Sequence, residues 1–267
     1  MTRVPLFQVD AFAPGPFTGN PAAVVVLAQW PDDATLLAVA AENNLSETAF
    51  IVPDGDAWAL RWFTPATEVD LCGHATLAAG FVVGERLRPG TDRVAFDSRA
   101  GRLTVWREGE AWCLDMPADP PAPVTPPDGL APALGVPAHA IEAVRAGRFL
   151  MVALPDAGAV RALAPDFAAL AALDTAAVLP TAPGDGVDFV SRCFAPGLGI
   201  PEDPVTGSAH AVLVPYWAAR LGRTRLEAHQ LSARGGRLAC RLDGDRVVAG
   251  GPATLYLEGM ITLEAQP

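Results

Sequence analysis

The chain has no lysine: all 19 of its basic residues are arginines. That absence rules out a lysine Schiff base, and with it ordinary pyridoxal-phosphate and class I aldolase chemistry. It also removes the lysine of a nucleotide-binding P-loop. Cysteine is scarce too. Cys72, Cys113, Cys193 and Cys240 are irregularly spaced, without the C-x-x-C pairs of zinc ribbons or dithiol redox sites. The sequence contains no H-E-x-x-H, G-x-S-x-G or G-x-G-x-x-G, so metal, serine-hydrolase and dinucleotide chemistry lack a signature. No metal site and no cofactor are expected. A net charge of −11 argues against nucleic acid as a partner, because that needs a basic footprint. An anionic small substrate stays open, since helix N-termini hold anions without a basic surface.

Long apolar runs are missing as well. Stretches such as Ala211–Ala219 reach about half of the ~20 residues that a membrane span needs. The beginning, MTRVPLFQVDAF, places Gln8 and Asp10 where a signal peptide needs an apolar centre. No membrane partner and a cytoplasmic location are the expectation, with the cysteines as reduced thiols. A length of 267 residues with 51% hydrophobic residues suffices for one large or two ordinary domains.

A proline-rich stretch, Pro117–Pro137, holds eight prolines in 21 residues. Proline sustains neither a helix interior nor a central strand, so a domain boundary is expected here: residues 1–117 and 118–267, with the last strand free to pack on the first half. The halves resemble each other. RWFTP (Arg61–Pro65) is followed by CGHATLAAGFVVG, and RCFAP (Arg192–Pro196) by TGSAHAVLVPYWA. Upstream, each half carries a proline-acid start to an Ala/Leu-rich helical pattern, from Pro31 and from Pro165, then a short β-like run. Four elements in one order point to duplication.

Short valine-rich runs and a D-G turn signal at Asp243–Gly244 read as strands and hairpins. The expected class is α+β: two pseudo-symmetric halves, each a curved, mostly antiparallel sheet around a central apolar helix beginning near Gly73 or Gly207. Helix N-termini there would present free N–H groups to a carboxylate, with glycine allowing close approach. In EDPVTGSAH, Asp203 before Pro204 reads equally as an N-cap with a first-position proline. Cap and substrate contact both stay open on the residues alone.

The halves differ at Glu47. It enters a β-like run in NNLSETAF, where the second half has no carboxylate after Asp174. A glutamate in an apolar strand acquires a raised pKa, which suits proton transfer near neutral pH. An exposed strand-edge glutamate is the plainer reading.

Taken in order, VDAFAPGPFTGNPAAVV, LSETAF, DLCGHATLA and EDPVTGSAHA resemble the phenazine-biosynthesis PhzF-like family, across the whole chain. The resemblance implies a diaminopimelate-epimerase-like fold, a site between the halves, no cofactor and a homodimer. It implies Glu47 as proton carrier, with His74 and Asp203 beside it as catalytic residues. The substrate-binding set would be Asn20, Gly73, His74, Asp203, Gly207 and Ser208. The expected activity is an isomerase moving a proton between carbons of a small carboxylate-bearing substrate, of the biosynthetic type.

Diaminopimelate epimerase uses two thiols, one from each half. Here Cys72 lines up with Thr206, whose hydroxyl cannot act as a thiolate does. One carboxylate shuttling a proton on one face is therefore preferred, with Cys72 as a small buried residue. Two alternatives are a thiol-dependent racemase pairing Cys72 with Cys193 or Cys240, and an inactive small-molecule-binding protein.

Overall fold

The structure, a computed structural model, describes residues 1–147 and 149–263. The chain divides into two units, Met1–Asp115 with Gly250–Pro267, and Met116–Ala249. The cut expected after Pro117 thus falls two residues earlier, and the segment from Gly250, whose last strand the sequence left free to pack on the first half, belongs to the first unit. Among the described residues no helix is long and apolar enough to cross a membrane.

The first unit contains β1 (Thr2–Ala11), β2 (Asn20–Val26), α1 (Asp33–Asn43), β3 (Glu47–Asp54), β4 (Ala57–Phe63), β5 (Glu68–Val69), α2 (Gly73–Val82), β6 (Arg93–Ser98), β7 (Gly101–Glu108) and most of β8 (Ala111–Pro117). β1 to β2 is antiparallel, β2 to β3 parallel, β3 to β4 antiparallel, β4 to β6 parallel and β6 to β7 antiparallel. α2 is buried along nearly its whole length and packs on β1, β2, β3 and β7. Its apolar composition on every side is what such a position demands. Closeness is set at Gly80, where a Cβ would overlap the side chain of Val105 on β7. α1 packs on β3 and β4. Its Leu36 and Ala40, one turn apart, enter a cluster with Val25, Phe50 and Phe63. Asp32 caps α1 by accepting from Thr35 N, and Asn44 ends it in the left-handed region.

The second unit contains β9 (Ala122–Pro123), α3 (Leu130–Leu134), β10 (Ala143–Ala146), β11 (Leu150–Ala153), α4 (Ala157–Arg161), α5 (Phe167–Ala171), β12 (Val178–Pro183), β13 (Phe189–Ser191), α6 (Gly207–Leu221), β14 (Arg225–Gln230) and β15 (Gly236–Asp243). Next comes β16 (Arg246–Gly251), at the unit boundary. β10 to β11 is antiparallel, β11 to β12 parallel, β12 to β13 antiparallel, β13 to β14 parallel and β14 to β15 antiparallel. This is the pairing pattern of the first unit, strand for strand. α6 supplies ten buried residues. Its Trp217 stacks on Phe189 at 5.7 Å between ring centroids and donates from Nε1 to Thr181 Oγ1. The final strand, β17 (Ala253–Leu263), returns to the first unit and pairs antiparallel with β1.

The R-x-F-x-P repeat acquires a physical reason. Arg61 grips Glu68 through Nε and Nη2 at 2.6 and 2.8 Å, and Arg192 grips Glu202 at 2.7 and 2.9 Å in the same two-pronged way. Each guanidinium also lies over the phenylalanine two residues on, Phe63 or Phe194. Glu68 and Glu202 both stand five residues before their glycines, Gly73 and Gly207. The pair therefore clamps the chain leading into each central helix.

The local reading of Asp203–Pro204 as cap and first helical residue does not hold. α6 starts at Gly207 with Thr206 as N-cap. Residues 203–206 are instead tied to β14, as described below.

Candidate active site

Both central helices start without a side-chain cap. Cys72 at the head of α2 and Thr206 at the head of α6 have extended backbone angles, and neither side chain accepts a capping bond from a backbone N–H of the first turn. Gly73 and Gly207 are the first helical residues, so backbone N–H groups are presented where a carboxylate can use them.

In the first unit, parallel pairing sets Glu47 at the start of β3 beside Ala22, and β2 opens with Asn20. His74, in the first turn of α2, is buried. Its Nδ1 lies 3.3 Å from Asn20 Nδ2 and 3.5 Å from Cys72 Sγ. An amide nitrogen facing Nδ1 assigns the proton of the neutral ring to Nε2. That atom stands 3.3 Å from Glu47 Oε2. The contact is close but off hydrogen-bond alignment, and Glu47 Oε2 is buried with no aligned donor. Burial raises the Glu47 pKa above the ordinary carboxylate value, and Ser46 and Cys72 offset part of the rise. Ser46 Oγ is close enough to favour the charged form, although it too is not aligned as a donor.

In the second unit, Asp203 is buried and its Oδ2 accepts from Thr206 Oγ1 in a very short contact. Gln230, at the end of β14 and fully buried, organises this corner. Its Oε1 accepts from Thr206 N at 2.9 Å, and its Nε2 donates to Asp203 O at 2.8 Å and to Thr206 Oγ1 at 3.1 Å. His210 sits one turn into α6 with Nδ1 2.8 Å from the Thr206 carbonyl. Burial lowers its pKa to about 4, so the ring is neutral and Nδ1–H donates. Cys193 is also buried here, its thiol pKa pushed up by burial and by the Asp203 carboxylate. Ser208 is half-buried in the first turn of α6.

Of the residues expected from sequence, Asn20, Glu47, Gly73 and His74 gather in the first unit, with Cys72 among them. Asp203, Gly207 and Ser208 gather in the second. Gln230 was not anticipated. Its signal was available: in RLEAHQ the alternation places Leu226, Ala228 and Gln230 on the buried face, and a polar residue on an apolar face needs partners.

A largely buried carboxylate of raised pKa stands on a duplicated α+β scaffold, and the chain is an isomerase, as its relatives are named. The chain belongs to the phenazine biosynthesis-like (PhzC-PhzF) family, whose model matches residues 9–260. It is 53% identical to an uncharacterized isomerase of Pseudomonas aeruginosa over 97% of this chain and 98% of that one. The crystal structure of a PhzF-family protein of Enterococcus faecalis superposes with a TM-score of 0.95 at 47% identity, covering 98% of this chain and all of the other. A hydroxyproline epimerase from Agrobacterium vitis shares the fold alone, with a TM-score of 0.61 at 11% identity over 98% of this chain and 93% of its own.

Proposed function

We propose that this chain is a cofactor-independent isomerase that moves a proton between two carbons of a small, carboxylate-bearing substrate, with Glu47 as the one proton carrier. The observation that carries the reading is the Glu47 carboxylate itself, buried beside His74 with a raised pKa and an oxygen left without an aligned donor. A carboxylate in that condition takes a proton from a C–H next to an activating group. It returns the proton at the far end of the shifted double bond, so bonds move and no electrons are gained or lost. His74 Nε2–H faces the same carboxylate, steadies its charged form and orients it. The uncapped helix starts at Gly73 and Gly207 suit a substrate carboxylate. Asp203 and Ser208 act on the same substrate in this proposal, as groups that bind and orient its polar substituents.

A two-thiol epimerase is disfavoured by the second unit. Thr206, the counterpart of Cys72, gives its hydroxyl to Asp203. Cys193, beside it, is held protonated by burial and by that carboxylate.

The test is turnover of small cyclic amino acids and unsaturated carboxylates in deuterated water, with variants compared side by side. Glu47→Gln should lose on the order of 10²–10⁴-fold in rate while still binding substrate. Cys72→Ala should keep most activity, and Asp203→Ala should lose both binding and rate. An active Glu47→Gln with a dead Cys72→Ala, inverting a single carbon, would establish the epimerase instead.

A further inference from the structure

Glu47, Cys72 and His74 offer three different ligand types, and one donor atom from each lies within 4.8 Å of the other two. Among the described residues this is the one group of three ligating side chains so gathered. We propose that these three residues bind a single thiophilic divalent cation, Zn2+ being the best match. Zinc takes sulfur at about 2.3 Å and imidazole nitrogen at about 2.0–2.1 Å. In a tetrahedron those lengths put sulfur and nitrogen roughly 3.5 Å apart. Cys72 Sγ and His74 Nδ1 are 3.5 Å apart as they stand.

The carboxylate completes three protein ligands, and the fourth position is left to water, the arrangement of open zinc sites. Glu47 Oε2 faces His74 Nε2 at 3.3 Å, so its side chain swings round the ring edge to the Nδ1 side to reach the metal, and the Asn20 amide, 3.3 Å from Nδ1, turns away to admit it. Binding proceeds by loss of one proton, from the Cys72 thiol to solvent, as the sulfur–metal bond forms. Thiolate and carboxylate together then carry two negative charges that the dication cancels, so the charges are buried as a neutral set. The positive end of α2 opposes a cation here, but that effect is weak beside a metal–thiolate bond.

The second unit has Thr206 and Ser208 at the positions of Cys72 and His74, so neither thiolate nor imidazole recurs there. One cation per chain follows. A cation on Glu47 holds the carboxylate that the proposed reaction needs, which makes the site inhibitory under that reading. The binding itself rests on ligand geometry and not on the isomerase reading.

The probe is Co2+, titrated into the reduced, metal-free full chain without substrate, followed by competition with Zn2+. Expected are one equivalent bound, a near-ultraviolet thiolate-to-cobalt band, a tetrahedral visible spectrum, and displacement by Zn2+. Cys72→Ser, or Cys72→Ala should the serine variant not fold, abolishes the band. His74→Ala and Glu47→Gln weaken Zn2+ binding at least about tenfold while their circular dichroism stays that of the wild type. A folded wild type without the band, or a band that survives in a folded Cys72 variant, overturns the site. Because no substrate is present, neither result depends on the reaction assigned to Glu47.

Discussion

Glu47 Oε2 and His74 Nε2 stand 3.3 Å apart, one at the start of β3 and the other in the first turn of α2. β3 pairs with β2 on one side and β4 on the other, and the glutamate at its start keeps only 13% of its side chain exposed. The helix brings the His74 ring to face it. A carboxylate so placed is unfavourable for folding when charged, and this gives a sign that can be measured.

Glu47 has a higher pKa folded than unfolded. Between those two values the folded state keeps a proton that the unfolded state has lost, so stability falls as pH rises through the window. It begins at the ordinary carboxylate value of 4.5 and closes at the raised folded pKa. Glu47→Gln removes this penalty. Its urea midpoint should match wild type at the acid end, exceed it increasingly across the window, and keep a constant margin above. A margin that shrinks with rising pH would mean that Glu47 is stabilised as a charge.

The two arginine clamps should be worth similar amounts. Arg61 and Glu68 are largely buried, with side chains 17% and 14% exposed, and Arg192 and Glu202 are comparably covered. Truncating one partner strands a charge-assisted pair, at a cost of roughly 2–4 kcal/mol. Arg61→Met and Arg192→Met should therefore lower stability by like amounts in urea titrations. A large effect at one and none at the other would show that the repeat in sequence is not a repeat in energetics.

Those clamps show how the duplication was legible. R-x-F-x-P recurs because guanidinium, phenyl ring and a later glutamate must meet before each helix, and a local pattern records that. Glu47 was legible as a difference between otherwise matched halves. Gln230 was not, because its partners lie 24 and 27 residues away and β14 meets them only after α6 has returned the chain. The cap reading of Asp203, one of the two left open, failed for the opposite reason. Asp-Pro is a strong local helix start, but Gln230 takes the Thr206 N–H and the Asp203 carbonyl, and the helix waits until Gly207.

Gln230 should behave as a positioning residue for Asp203. Gln230→Glu keeps the acceptor for Thr206 N and removes the donor to the Asp203 carbonyl. In the folded variant, assayed well below its melting temperature, KM should rise several-fold with a smaller change in kcat, in parallel with Asp203→Asn. Gln230→Ala strands both backbone groups and should also cost about 2–4 kcal/mol of stability. Unchanged KM in folded Gln230→Glu would reduce the residue to a structural role.

His210 makes the second unit acid-sensitive. Its folded pKa is about 4, against 6.5 when exposed, because burial beside Phe189 disfavours the charged ring, and the hydrogen bond from Nδ1–H to the Thr206 carbonyl offsets only part of that. Below pH 6.5 the unfolded chain takes a proton that the folded chain refuses, so stability is full above that value and drains as pH falls towards 4. The folding constant should weaken by up to about tenfold per pH unit in this window from His210 alone. His210→Gln keeps an amide donor for the carbonyl but cannot titrate, so its stability should fall less steeply between pH 6.5 and 4. Carboxylates contribute equally to both proteins, and the difference between the two curves isolates the imidazole. Parallel curves would mean that the ring is protonated in the folded state, and the neutral donor assigned to Nδ1 would then be wrong.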